Sequence, residues 1–198
     1  MGQVSAIAFP LYLVPCTPHT GGYHMPVYLK DVNEFPELEG IGSALIVPCR
    51  FCPAASMAVR KDEPYFQFHR RFLKTASYEE YIASMKSTME KMGIRTDVFR
   101  SHWLHQFVLC MWTKGRRKQL AKRAAGYEAL VVLGCEAGVD TVHDSVDTDR
   151  SRVYMGMRSE GIMSVLPRVN LPANLSLELK RVTPLIHDTG DKVQWQKL

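Results

Sequence analysis

Two unbroken apolar runs, Ser43-Ala-Leu-Ile-Val47 and Ala129-Leu-Val-Val-Leu133, stand out along the chain. Apolar runs of this length without alternation mark strands covered on both faces, as in parallel sheets flanked by helices. Between them, residues 78–92 repeat with helical period. Ser77 is placed as N-cap with Glu80 as its capping-box partner, and Gly93 as the stop. A short strand is predicted over residues 95–99. Residues 102–125 read as mostly helical, with Trp103, Phe107 and Met111 on one stripe. Gly134-Cys135-Glu-Ala-Gly138 turns sharply into a helix ending near residue 146, and a fourth strand follows at 152–155. Strand alternating with helix predicts an α/β fold: a short parallel sheet with flanking helices, flavodoxin-like or Rossmann-like in three layers, with right-handed crossovers.

Outside this rhythm the pattern weakens. Residues 1–42 read as an irregular N-terminal arm, with a possible short strand at 7–14, turns at Pro15, Pro18, Gly21 and Gly22, and an extended stretch at 25–29. Residues 43–165 form the cysteine-bearing domain. Residues 166–198 form a C-terminal extension, in which Leu175-Ser-Leu-Glu-Leu-Lys180 alternates as a half-exposed edge strand does. There is no internal repeat. No apolar stretch is long enough to span a membrane. The first residues lack a basic region and a small-residue cleavage site, so no signal peptide is expected and the expected location is cytoplasmic.

Composition adds little to this: 198 residues, 46% hydrophobic and 23% charged, suit one ordinary domain with extensions. The net charge of +5 adds more, because much of it sits in Lys114-Gly-Arg-Arg-Lys118, with Lys122 and Arg123 beyond. Such a run is usually a solvated helix face. Nucleic acid would ask for a wider basic stripe with interleaved aromatics, so no nucleic-acid partner is expected and an acidic protein partner is the better functional reading. Residues 53–77 read as a long connection. Within them Tyr65-Phe-Gln-Phe-His-Arg-Arg-Phe72 mixes the residue types of interface cores, which points either to a partner subunit or second copy, or to packing on the chain's own sheet.

The cysteines carry the strongest chemical signal. Five of them, an odd number, with no secretory signal, argue for free thiols or metal ligands rather than disulfides. Cys49 and Cys52 follow the first buried strand. Cys110 follows the 95–99 strand after about ten residues, and Cys135 follows the 129–133 strand directly. Ligand sites in open α/β sheets lie beyond the carboxyl ends of the strands, so three successive junctions carry four thiols to one edge. Four thiolates suit a [4Fe–4S] cluster or a tetrahedral zinc ion. Only one pair, Cys49 and Cys52, is close in sequence, which tilts the choice toward iron–sulfur. Two other readings stay open: Cys49-Arg-Phe-Cys52 as a redox dithiol at a helix start, and Cys110 as plain core within Phe107-Val-Leu-Cys-Met-Trp112.

At these residues the chain resembles a known family. Ala129-Leu-Val-Val-Leu-Gly-Cys-Glu-Ala-Gly-Val-Asp-Thr-Val142 resembles the Cys-Gly-Ala-Gly-Val-Gln-Thr-Val segment of the zinc or iron–sulfur partner subunit of methylenetetrahydrofolate reductase. Val153-Tyr-Met-Gly-Met157 resembles that family's next strand. The likeness covers about residues 43–165. It implies a subunit that carries a metal or iron–sulfur centre, docks on a flavin-dependent reductase and passes electrons. Position by position, Cys49, Cys52, Cys110 and Cys135 match the family's cysteine pattern. The chain departs from the family in having no cysteine across residues 166–198, where an additional cluster would be held; a single centre is implied.

The expectation is therefore a non-catalytic accessory subunit of a larger redox enzyme of one-carbon or anaerobic metabolism. Two alternatives are a small α/β enzyme using the thiol edge on a bound small molecule, and an interaction module with inert thiols. Lesser candidates are Cys16, His19 and His24 in the arm, His102 and His105 near Cys110, the pair Glu136 and Asp140 with His143, and Gly134 and Gly138 as an anion-binding helix start. Catalytic residues are not assigned. There is no Ser-His-Asp order, no P-loop and no G-x-G-x-x-G after a strand.

Overall fold

The computed structural model describes residues 23–24, 27–32, 38–67, 75–100 and 108–184. Two sheets organise them. The first is a four-stranded parallel sheet in the order β5-β3-β6-β7, built from β3 (Ser43–Pro48), β5 (Arg95–Val98), β6 (Ala129–Leu133) and β7 (Arg152–Met155). The second is antiparallel and contains β1 (Tyr23–His24), β2 (Tyr28–Asp31), β4 (Phe66–Gln67), β8 (Met157–Asn170) and β9 (Asn174–Pro184). The predicted α/β class with a β tail is what forms, and the apolar runs at 43 and 129 are its two central strands. Every residue of β3 and of β6 is buried, which is why neither run alternates.

Helices cover both faces. Leu45, Val47, Leu130 and Val132 point to one side, where they pack with Leu120 and Ala124 of α3 (Lys114–Ala124) and Val142 of α4 (Glu136–His143). Ala44, Ile46, Ala129 and Val131 point to the other, against α1 (Cys52–Lys61) and α2 (Ala76–Lys91). The antiparallel sheet closes over α1: the Leu29 N–H donates to Ser56 Oγ at 2.9 Å, Asp31 pairs with Arg60, and Leu29, Met157, Met163 and Val165 join the same core.

Several local expectations are corrected. Residues 52–61 are a helix, not the start of a long connection. Pro53 sits in its first turn, where a missing N–H is harmless, and Asp62 closes it at φ 53° in the left-handed region. The second helix starts earlier than expected, with Thr75 rather than Ser77 at its N-cap. Thr75 Oγ1 donates instead to the Tyr65 carbonyl at 2.6 Å. Gly93 does end that helix, at φ +83°. Residues 102–125 are not one helix. A 3-10 turn spans Leu109–Met111, Trp112 and Thr113 are extended, and α3 begins only at Lys114. Met111 points to solvent at 76% exposure; Trp103 and Phe107 lie outside the described residues. The helix after Cys135 stops at His143.

The alternating stretch at 175–180 is part of a hairpin. It pairs along β8, a strand the apolar pattern had not announced, and at its tip with β4. Two glycines stand where neighbouring strands leave no room for a side chain: Gly156, between β7 and β8 at the crossing from one sheet to the other, and Gly161, within β8 against β9. A Cβ on Gly156 would stand 2.6 Å from Leu133, and one on Gly161 would stand 2.5 Å from the Thr183 carbonyl oxygen. Among the described residues no helix is long and apolar enough to cross a membrane. Residues 7–14 and most of Tyr65–Phe72 lie outside the described residues; Tyr65 itself is buried.

Candidate functional site

The strand order sets the site. The chain leaves β3 for β5 on one side and returns for β6 on the other, so β3 and β6 are neighbours whose connections diverge. A crevice opens at the carboxyl ends of such a pair, and ligands in open α/β sheets bind there. Cys49 directly follows β3. Its N–H donates to the Leu133 carbonyl at 2.8 Å, carrying the β3–β6 ladder one residue past β3's end. Cys52 opens α1, and Cys135 is the N-cap of α4 directly beyond β6. Gly134 lies against Cys49: a Cβ placed there would touch the Cys49 Cβ at 3.5 Å, an ordinary contact. Cys110 enters from the 3-10 turn, whose Leu109 packs beneath Gly138 of α4.

Cys49, Cys52 and Cys135 lie at this edge, with Cys110 on the neighbouring 3-10 turn, in unequal settings. Cys49 and Cys52 are buried, Cys135 is half-buried and Cys110 is exposed. Cys52 and Cys135 are hydrogen-bonded to each other. That bond, aided by the Gly138 and Ala137 N–H groups at the start of α4, pulls the Cys135 thiol down to about 6, against the opposing effect of burial. The same bond pushes Cys52 upward, with burial adding to it. Burial drives Cys49 up to about 11, although the Leu109 and Phe51 N–H groups favour its thiolate. Burial also raises Cys110, which feels the charge of Cys135. Amide donors therefore aim at Cys49, Cys135 and, through Val27, Cys52. Among the described residues, no three or more Cys, His, Asp or Glu side chains stand in an arrangement that could hold a metal ion.

The residues packed around the thiol edge were not legible from the sequence. Tyr78 is fully buried and donates to the Leu133 carbonyl at 3.4 Å; burial holds its phenol protonated well above the ordinary range. Tyr65, also pushed upward by burial, reaches the Phe51 carbonyl at 3.5 Å. Arg50, inside the Cys-x-x-Cys loop, pairs with Glu79 of α2. Its place between two candidate ligands was the available signal. Glu136 accepts a hydrogen bond from Ser159 of β8, so it braces α4 against the second sheet. His143 ends α4 as an exposed residue. Cys16, His19, His102 and His105 lie outside the described residues, and His24 is described only as part of β1. Comparison with protein-family models, with curated proteins and with solved structures gives no match to this chain.

Proposed function

We propose that the chain is a cytoplasmic accessory subunit that binds one cysteine-ligated metal centre and serves a larger, flavin-dependent redox enzyme of one-carbon or anaerobic metabolism. The observation that carries this is the convergence of Cys49, Cys52 and Cys135, with Cys110 beside them, at the crevice between β3 and β6, with amide N–H groups aimed at the sulfurs. Such donors stabilise thiolates and tune iron–sulfur centres. The residues fit the group in donor chemistry: four thiols, one of them already biased toward thiolate. When bound, a [4Fe–4S] cluster would supply one-electron chemistry, whereas zinc would supply a structural clamp. The chain's own part is to hold the sulfurs, neutralise their charge with backbone dipoles and exclude water behind Tyr65 and Tyr78. The resemblance of the 129–142 segment to the reductase partner subunit supports the same reading.

The test is protein prepared without oxygen, with metal analysis and a visible spectrum. Broad absorption with iron and sulfide in about 4:4 ratio to chain is expected for the cluster; zinc without colour selects the alternative. Cys49→Ser and Cys135→Ser should each lose the metal and melt earlier, because binding a closed site is coupled to folding. Cys16→Ser should leave both unchanged. Full metal content in either of the first two variants would remove that residue from the ligand set. Protein free of metal under every preparation would sink the reading.

A further inference from the structure

The carboxyl end of β5 opens on a second concavity, about 490 Å³ in volume, within the range of small-molecule pockets. Lys86, Arg100, Arg116 and Arg123 line it with a single carboxylate, Asp97. That carboxylate is already engaged: it accepts from the Tyr127 hydroxyl at 2.5 Å and from Arg123 at 3.1 Å. Lys86 pairs with Glu90. Arg100 and Arg116 have no carboxylate partner among the described residues, so the concavity holds two cations without counter-charge.

Arg116 is the unusual one. It belongs to the basic run that reads as a solvated helix face, yet it is only 8% exposed. Its guanidinium lies over Phe99 at 4.7 Å and Trp112 at 5.1 Å, and one terminal nitrogen donates to Gln119 Oε1 at 2.6 Å. Its Nε and Nη2 have no hydrogen-bond partner and are closed to solvent in this structure, so an anion in the concavity meets them only when the side chain turns outward. These two N–H groups lie on the same edge of the guanidinium, the fork that meets two oxygens of a carboxylate or phosphate at once. A buried cation with an unused fork is costly unless an anion completes it. The site also lies beyond the carboxyl end of a parallel strand, where ligands of such sheets gather.

We propose that this concavity binds a phosphate group, with Arg116 as the buried anchor and Arg100 at the mouth. A phosphate fits better than an acidic protein surface. The anchoring fork is recessed, whereas an acidic partner would meet the exposed Lys114 and Lys118 first. The group arrives either as free phosphate or as the monoester end of a small metabolite.

Calorimetric titration of the full chain with inorganic phosphate, with glycerol phosphate and with oligoglutamate, against sodium chloride of equal ionic strength, tests this. Saturable phosphate binding above the chloride control is expected. Arg116→Gln should weaken it about tenfold to a hundredfold, the worth of a charge-assisted bidentate contact. Arg100→Gln should weaken it several-fold, and Lys118→Gln, which removes the same charge outside the concavity, should leave it unchanged. Tighter binding of glycerol phosphate assigns a monoester; tighter binding of inorganic phosphate assigns the free ion. Near-ultraviolet circular dichroism establishes that Arg116→Gln is folded, and if it is not, Arg100→Gln decides alone. The proposal is overturned by phosphate binding no better than chloride, by equal binding in both arginine variants, or by oligoglutamate binding that depends on Lys118 while phosphate does not bind.

Discussion

In the parallel sheet β3 and β6 are buried along their whole length, whereas in the antiparallel hairpin only the base of β8 is buried. Met157, Ser159, Gly161, Met163 and Val165 turn inward there, while Val169 is 59% and Leu171 77% exposed at the tip. The parallel sheet is clamped between helices on both faces, so its carboxyl edge is held stiffly, and the candidate ligands Cys49 and Cys135 are attached directly to that edge. The hairpin is anchored at one end by β2, β1 and the close approach of β9 at Gly161, and its far half adds little buried surface. Precise placement of reactive groups needs the first kind of element. The second kind ties β2 and α1 to the rest and braces Glu136 through Ser159.

This contrast can be broken or sharpened by substitution. Leu130→Ala, at a fully buried site in the centre of β6, should cost about 2–5 kcal/mol in chemical denaturation, by lost burial and a residual cavity. A loss below about 1 kcal/mol would mean that the sheet is not the stable centre of the molecule. Gly161→Ala comes next, at about 1–3 kcal/mol, because its Cβ meets a backbone oxygen that cannot swing away. An unchanged midpoint there would show that the hairpin base gives way easily.

The thiol edge should show itself as pH dependence in the metal-free chain. Cys135, pulled down from 9.0 to about 6, contributes stability that is complete above about pH 9 and is lost as pH falls through 6. Cys49, pushed up from 9.0 to about 11, contributes stability that is complete below pH 9 and is lost as pH rises through 11. The stability gap between the wild type and Cys135→Ser should therefore widen from pH 6 to pH 9; a gap independent of pH would remove the Cys52–Cys135 bond from the account. Alkylation should find Cys135 before Cys49 at neutral pH, and Cys52→Ala should move the Cys135 titration upward. The smallest effect belongs to the hairpin tip: Val169→Ser should stay within about 0.5 kcal/mol of the wild type by thermal melting.

What the one-dimensional pattern revealed and what it hid follow from the same physics. β3 and β6 were readable because a strand buried on two faces must be apolar throughout, and that constraint is local; the partly exposed edge strands β5 and β7 were placed by their position after a helix and its stop. The helix at 52–61 was hidden because it is built on small residues, Ala54, Ala55, Ser56 and Ala58, whose burial leaves little periodic contrast, and because its start looks like a metal-binding loop. β8 was hidden because its inward positions include Ser159 and Gly161, chosen for contacts with α4 and β9 rather than for apolarity. The break at Trp112 and Thr113 was hidden because both neighbouring stretches carry helix-compatible residues; there the backbone is extended and Trp112 lies under the Arg116 guanidinium.

By itself the sequence determined the class of fold, the two central strands and the arrival of Cys49, Cys52, Cys110 and Cys135 at βα junctions, since each follows from the residues of one segment. Only the tertiary structure decided which neighbours those residues meet. It set Cys52 rather than Cys49 against Cys135, left Cys110 exposed, and turned Arg116 out of a basic run into the space beside Phe99. Those outcomes depend on the divergence of the chain around β3 and on the depth at which each side chain is buried. Both are properties of segments far apart in sequence, so no single segment encodes them.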